Sequence, residues 1–205
     1  EVIEAVETLK GRGPADLTAV CLELAANMLV LAENGGVPGM LSMLPIQLVQ
    51  GAHAFPARYL FAIATAVSHR GRGISSRLIA EALARVQAEG DAAAMLVPAG
   101  EDLFRFYGKR GFETRFYVRR AVFDAKTLPP CPDNARVSEL TEQDMLRLRD
   151  QAFSGHGLFA RWGEDAIRYV RASSRAFGGV LRKLELPGAE GYAYGEWDGN
   201  NLLVK

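Results

Sequence analysis

Y-L-F-A-I-A-T-A-V-S-H-R-G-R-G-I-S-S, residues 59–76, is the stretch that decides the fold of this chain. An apolar run with strand-like content, residues 59–67, stops at a turn rich in glycine and arginine. The turn opens into a helical pattern over 76–89. Ile74, Leu78, Ala82 and Val86 recur on one face with Leu83 beside them, and Gly90 supplies the stop. A strand, a tight turn and a helix in this order present backbone N–H groups and the positive end of a helix to an anion. Gly71 and Gly73 lack a Cβ, so the backbone can approach a phosphate closely and adopt unusual dihedrals. Arg70 and Arg72 add charge and donors suited to phosphate oxygens.

Working outward, residues 92–97 read as a buried strand halted by Pro98, 101–110 as a short helix ended by Gly111, and 114–123 as a long strand. Upstream, 28–32 and 39–49 read as two strands of a hairpin about the turn Asn34-Gly35-Gly36. A loop over 50–56 follows, and 1–27 read as one or two helices. Pro129, Pro130 and Pro132 mark a linker. Beyond it the pattern gives a strand (136–139), a helix begun by the box Thr141-Glu142-Gln143-Asp144 and a second helix around 164–173. Strands at 179–185 and 191–197 follow, then a turn into 202–204. The alternation of strands and helices is α/β. The expected organisation is a first domain over 1–126, a linker over 127–135 and a second, partial unit over 136–205. Residues 30–44 and 180–195 share the shape strand, Pro-Gly turn, strand; this fits a duplicated fold, and equally any two hairpins.

Composition narrows the function. The chain has 205 residues, 49% hydrophobic and 23% charged, as in an ordinary globular protein. Its formal net charge is zero, so there is no global electrostatic case for nucleic acid or an anionic membrane. Local clusters, Arg70/Arg72 and Arg115/Arg119/Arg120, suit a small anion better than a polymer. Cys21 and Cys131 have neither disulfide-framework nor zinc spacing, which suits a reducing cytoplasm. No apolar run is long enough to span a bilayer, and the opening E-V-I-E-A-V-E is unlike a signal peptide. A nucleotide P-loop is excluded because no Gly-Lys-Ser/Thr follows the turn.

R-G-R-G-I-S at 70–75 resembles the Q/R-x-x-G-x-G/A loop of the GCN5-related N-acetyltransferases, and L-F-R-F-Y-G-K-R-G-F at 103–112 is similar to that family's F-Y-x-x-x-G-F segment. Ser75 departs from the final Gly/Ala. A-I-A-T (62–65) and L-V-P-A (96–99) look like segments of bacterial tandem-domain members, in which a degenerate second unit follows the first. The resemblance covers residues 28–123 well. It implies a mixed, mostly antiparallel sheet flanked by helices, with two neighbouring strands splayed to admit acetyl-CoA.

The resemblance also implies roles. Backbone N–H groups from Gly71 through Ser76 (Gly71, Arg72, Gly73, Ile74, Ser75, Ser76) would bind the pyrophosphate, assisted by Arg70 and Arg72. Ala66 and Val67 would pair with the pantetheine amides, and Phe104 would pack against the cofactor or the core. Tyr107 would protonate the leaving thiolate. The general base is unassigned, because residues 59–68 hold no Asp, Glu or His; water, a backbone carbonyl, Glu33 or Glu113 could serve. His53 and His69 read as surface residues. Phe112, Phe116 and Tyr117 read as core, and Tyr192, Tyr194 and Trp197 as an ordinary sheet face. The expected partner is a small-molecule or peptide amine, with self-association left open. The alternative is a non-catalytic acyl-CoA-binding or interaction module.

Overall fold

The structure, a computed structural model, describes residues 28–33, 36–117, 124–176, 178–198 and 201–204. The helices expected over 1–27 lie outside the described residues. β1 (Met28–Glu33) and β2 (Gly36–Gln50) form the expected hairpin. β2 pairs antiparallel with β3 (His53–Thr65) along nearly its whole length. The loop expected over 50–56 is instead a tight turn, with Gly51 at φ +58° and Gln50 opposite His53. β3 then pairs in parallel with β4 (Ala93–Met95).

α1 (Ile74–Ala88) crosses from β3 to β4 and buries Ile74, Leu78, Ile79, Ala82 and Val86. Its buried stripe therefore runs through Ile79, with Leu83 only partly covered. Against it lie Leu41 and Met43 from β2 and Leu60 from β3. Each such side chain contributes about 1.5–3 kcal/mol of burial. α2 (Glu101–Gly108) adds Tyr107 to the same core. Pro38, in the segment of β2 beside the start of α1, is fully buried. Next to it, Gly39 is a close-approach position. A Cβ there would stand 2.5 Å from Ile74 Cγ2 and 3.1 Å from Leu78 Cδ1.

The strand expected over 114–123 is not formed in its described part. Residues 114–117 lie outside any strand, and Phe116 and Tyr117 are exposed rather than core. With no strand beside them among the described residues, their alternation has nothing to pair with. Phe112 does pack on the core.

After the Pro-rich segment the chain builds β5 (Arg136–Glu139), α3 (Glu142–Phe153), β6 (Phe159–Trp162), α4 (Glu164–Ala176), β7 (Val180–Leu186), β8 (Ala189–Asp198) and β9 (Asn201–Val204). The Thr141 box caps α3: Thr141 Oγ1 accepts from the Asp144 N–H at 3.0 Å. β5-β7-β8-β9 form an antiparallel sheet. β6 leaves that sheet and joins the first one, pairing with Ile46–Val49 on the edge of β2 that β1 covers further along. β6 is absent from the sequence reading. Trp162 of β6 packs on the second core, Leu140, Met145, Leu148 and Ile167. The strand thus ties the second core to the first sheet. Tyr169 of α4 also meets Phe61 of β3, ring centroids 5.5 Å apart, on the sheet face opposite α1.

Candidate functional site

β3 does not end where its partner ends. The β3–β4 ladder closes at Tyr59↔Met95, while β3 runs on to Thr65. Beyond Met95 the chain leaves the ladder and Val97 is largely exposed. Past Tyr59 the edge of β3 that faces β4 therefore has no strand partner among the described residues. A β-bulge lies in the unpaired part of β3: the register with β2 shifts between Met40↔Ala64 and Ser42↔Phe61, and Ala62 takes φ +51°. An alanine in that region costs about 1 kcal/mol and persists because the surrounding ladder fixes it.

At the end of β3 a single 3-10 turn, Val67–His69, leads into the glycine turn. Ala66 has both backbone groups engaged: its N–H donates to the Pro38 carbonyl and its carbonyl accepts from the His69 N–H, each at 2.8 Å. Val67 is exposed, and its N–H has no backbone partner among the described residues. Gly71 and Gly73 sit at φ +77° and +74°, where only glycine is unstrained. Gly73 is the residue preceding α1. No side chain caps that helix, and its first turn holds no acidic residue. Its first N–H groups are thus directed outward from a positive helix end.

The side chains around this end divide by role. Ile74 is buried, so it offers only its backbone. Ser75 Oγ hydrogen-bonds Thr65 Oγ1 at 2.7 Å, which clips the start of α1 to the end of β3. Ser75 is the position at which the resembled loop has Gly or Ala. Arg70 and Arg72 are exposed and pair with no carboxylate among the described residues. His69 Nδ1 meets Ser68 Oγ at 2.9 Å, a local surface contact.

Tyr107 lies in the core cluster with Ile74 and Leu78, close to the first turn of α1. Its ring meets Phe106 and Phe112 edge-on, at centroid distances of 5.2 and 5.9 Å. Burial pushes the phenol above its ordinary range, and Arg110 draws it back in part. Phe104 on the same helix is partly exposed.

Arg110 has no role among the expectations from sequence. It follows α2, where the chain folds back through Gly111 at φ +86° and the Arg110 N–H donates to the Tyr107 carbonyl at 2.8 Å. The reversal brings the guanidinium over the Phe106 ring at 3.5 Å. From there Nη1 donates to the Phe106 carbonyl and Nη2 to Ser76 Oγ in the first turn of α1. The signal was the arginine inside F-Y-G-K-R-G-F; its partner is remote in sequence.

Neither carboxylate considered as base stands out. Glu113 is exposed and ion-pairs with Arg115, and Glu33 lies at the end of β1. His53 is exposed at the hairpin turn. Among the described residues no group of His, Cys, Asp and Glu could hold a metal ion, and no helix is long and apolar enough to cross a membrane.

Residues 18–115 match the family described as an acetyltransferase (GNAT) domain. A search of curated proteins finds no match. Among solved structures, the GCN5-related N-acetyltransferase from Kribbella flavida superimposes with a TM-score of 0.56 at 16% identity, over 92% of this chain and 48% of that one. Eis1 from Mycobacterium abscessus gives 0.55 at 13% identity, over 87% of this chain and 49% of that one. The chain thus spans about half the length of each. At these identities the likeness is one of fold, and with 92% of the chain matched it extends well past the Pro-rich segment.

Proposed function

We propose that this chain, which carries a domain of the GNAT acetyltransferase family over residues 18–115, transfers the acetyl group of acetyl-CoA to a primary amine. One observation carries the reading: an uncapped helix start free of acidic residues, behind Gly71 and Gly73, stands at the end of a strand that outruns its partner. The helix start suits a diphosphate. The open edge of β3 suits an amide-bearing arm, which can enter like an added strand. Acetyl-CoA has both parts, and supplies the thioester.

In this reading the N–H groups from Gly71 through Ser76 bind the diphosphate, with Arg70 and Arg72 as additional donors. Phe104 flanks the arm. Because Ala66 already spends its N–H on Pro38, the free N–H of Val67 is the donor for the oxyanion that develops at the thioester carbonyl. As the amine nitrogen bonds to that carbon and the C–S bond breaks, Tyr107 gives its phenolic proton to sulfur. The proton lost by the amine returns to the phenol through water. A phenol is protonated at neutral pH, as an acid must be, and burial raises this one further.

A second reading, an acyl-CoA-binding module without turnover, draws support from the lack of any carboxylate or imidazole in residues 59–68. Release of free CoA thiol across a panel of amines separates the two. Amine-dependent release supports the transferase; CoA binding with no amine raising release above background supports the module. Tyr107→Phe is expected to lower turnover about a hundredfold while sparing CoA binding. Unchanged turnover removes Tyr107 from the mechanism.

A further inference from the structure

We propose that Arg110 is a diphosphate-binding residue of this site, held ready by Phe106 and Ser76; the proposal rests on the acetyl-CoA reading. The arrangement is electrostatically costly without an anion. Arg110 is half-buried against the first turn of α1, the positive end of a helix that has no acidic residue in that turn. A cation is unfavourable there. Among the described residues Arg110 pairs with no carboxylate, whereas Arg58, Arg85 and Arg147 each have at least one. Its Nε is buried without a hydrogen-bond partner. Stacking on Phe106 and the two Nη bonds hold the guanidinium in place all the same. A fixed cation facing a positive helix end is resolved by a group carrying charge on several oxygens. The diphosphate expected at Gly71–Ser76 is such a group, and Arg110 reaches that segment at Ser76.

The test titrates CoA and 3′-dephospho-CoA, which keeps the diphosphate, into the full chain and into Arg110→Gln and Arg110→Lys. The expected result is that Arg110→Gln weakens both ligands equally, by about ten- to a hundredfold. Arg110→Lys, which keeps the charge, recovers most of that loss. Three results overturn the proposal. Arg110→Gln binds CoA as tightly as the wild type; or it loses CoA while retaining 3′-dephospho-CoA, which moves the contact to the 3′-phosphate; or both variants lose CoA equally and also melt well below the wild type without ligand, which makes Arg110 a packing residue. Failure of the wild type itself to bind either ligand is a different outcome, and overturns the acetyl-CoA reading on which the proposal stands.

Discussion

Tyr107 shows how burial and chemistry meet in one side chain. It is a core residue by contact and, in the proposed reaction, the acid. Its folded value is raised above the ordinary tyrosine value of about 10. The acid form therefore persists through neutral pH, and the alkaline loss of acetyl transfer that belongs to Tyr107 is expected above pH ~10. The sign for stability agrees. A value raised in the folded state contributes stability that is complete below the unfolded value and is lost as pH rises through the folded one. Tyr59, also raised by burial, adds to the same alkaline loss. Tyrosinate absorbance against pH, followed with and without Tyr107→Phe, checks this: the substitution should remove one high titration. At this scale the glycines, loop arginines and Tyr107 were legible because each sits in a short local pattern. Arg110 was not, because its meaning depends on Ser76, which only the folded chain brings near.

At the scale of elements, the site depends on how closely β2 and α1 approach. Gly39 permits it, since a Cβ there would collide with the stiff branch of Ile74. Gly39→Val should cost about 1–3 kcal/mol by overpacking and should weaken CoA binding, because Ile74 begins the helix that forms the cradle. Denaturant unfolding and a CoA titration on the same variant measure both. The other end of α1 is fastened by Arg58, whose Nε and Nη2 reach Asp91 and Glu89, each at 2.6 Å. Asp91 is the more buried partner, so Arg58→Met leaves a covered carboxylate unpaired. A loss of about 1–3 kcal/mol is expected, and this variant should leave CoA affinity nearly unchanged. The hairpin, α1 and α2 were readable because helical periodicity and glycine stops mark them. β6 was not: four residues between Gly157 and Gly163 carry too little alternation to stand out. What makes it a strand is the open edge of β2. Residues 114–117 fail in the opposite way, having an alternating pattern but no strand beside them among the described residues.

For the whole molecule, β6 links the chain after the Pro-rich segment to the sheet before it. The chain after the linker builds its own sheet, yet it also completes the first one and sets Tyr169 against Phe61. A strand shared in this way couples the two cores, so calorimetry should find one unfolding transition; two well-separated transitions would mean independent domains. Trp162→Ala should destabilise by about 2–4 kcal/mol, since Trp162 packs on the second core and lies 3.9 Å from the Arg149 guanidinium carbon. At acid pH two carboxylates after the Pro-rich segment contribute to the loss of stability. Asp144 is held below its ordinary range first by Thr141, and Glu190 first by Arg147. Lowered values give stability that is present above the unfolded carboxylate range and is lost as pH falls through the folded values. Stability should therefore decline as pH falls below the ordinary carboxylate range, which denaturant unfolding at a series of pH values measures.

The central claim is that the cradle behind Gly71 and Gly73 and the open edge of β3 hold acetyl-CoA for transfer to an amine. Acetyl-CoA carrying an isotopically labelled acetyl group, incubated with the chain and a panel of primary amines, tests it most directly by mass spectrometry of the products. The account expects label in an amide, formed only with protein present and strongly reduced by Tyr107→Phe. Label remaining entirely on CoA, with the chain shown to be saturated by it, would contradict the account.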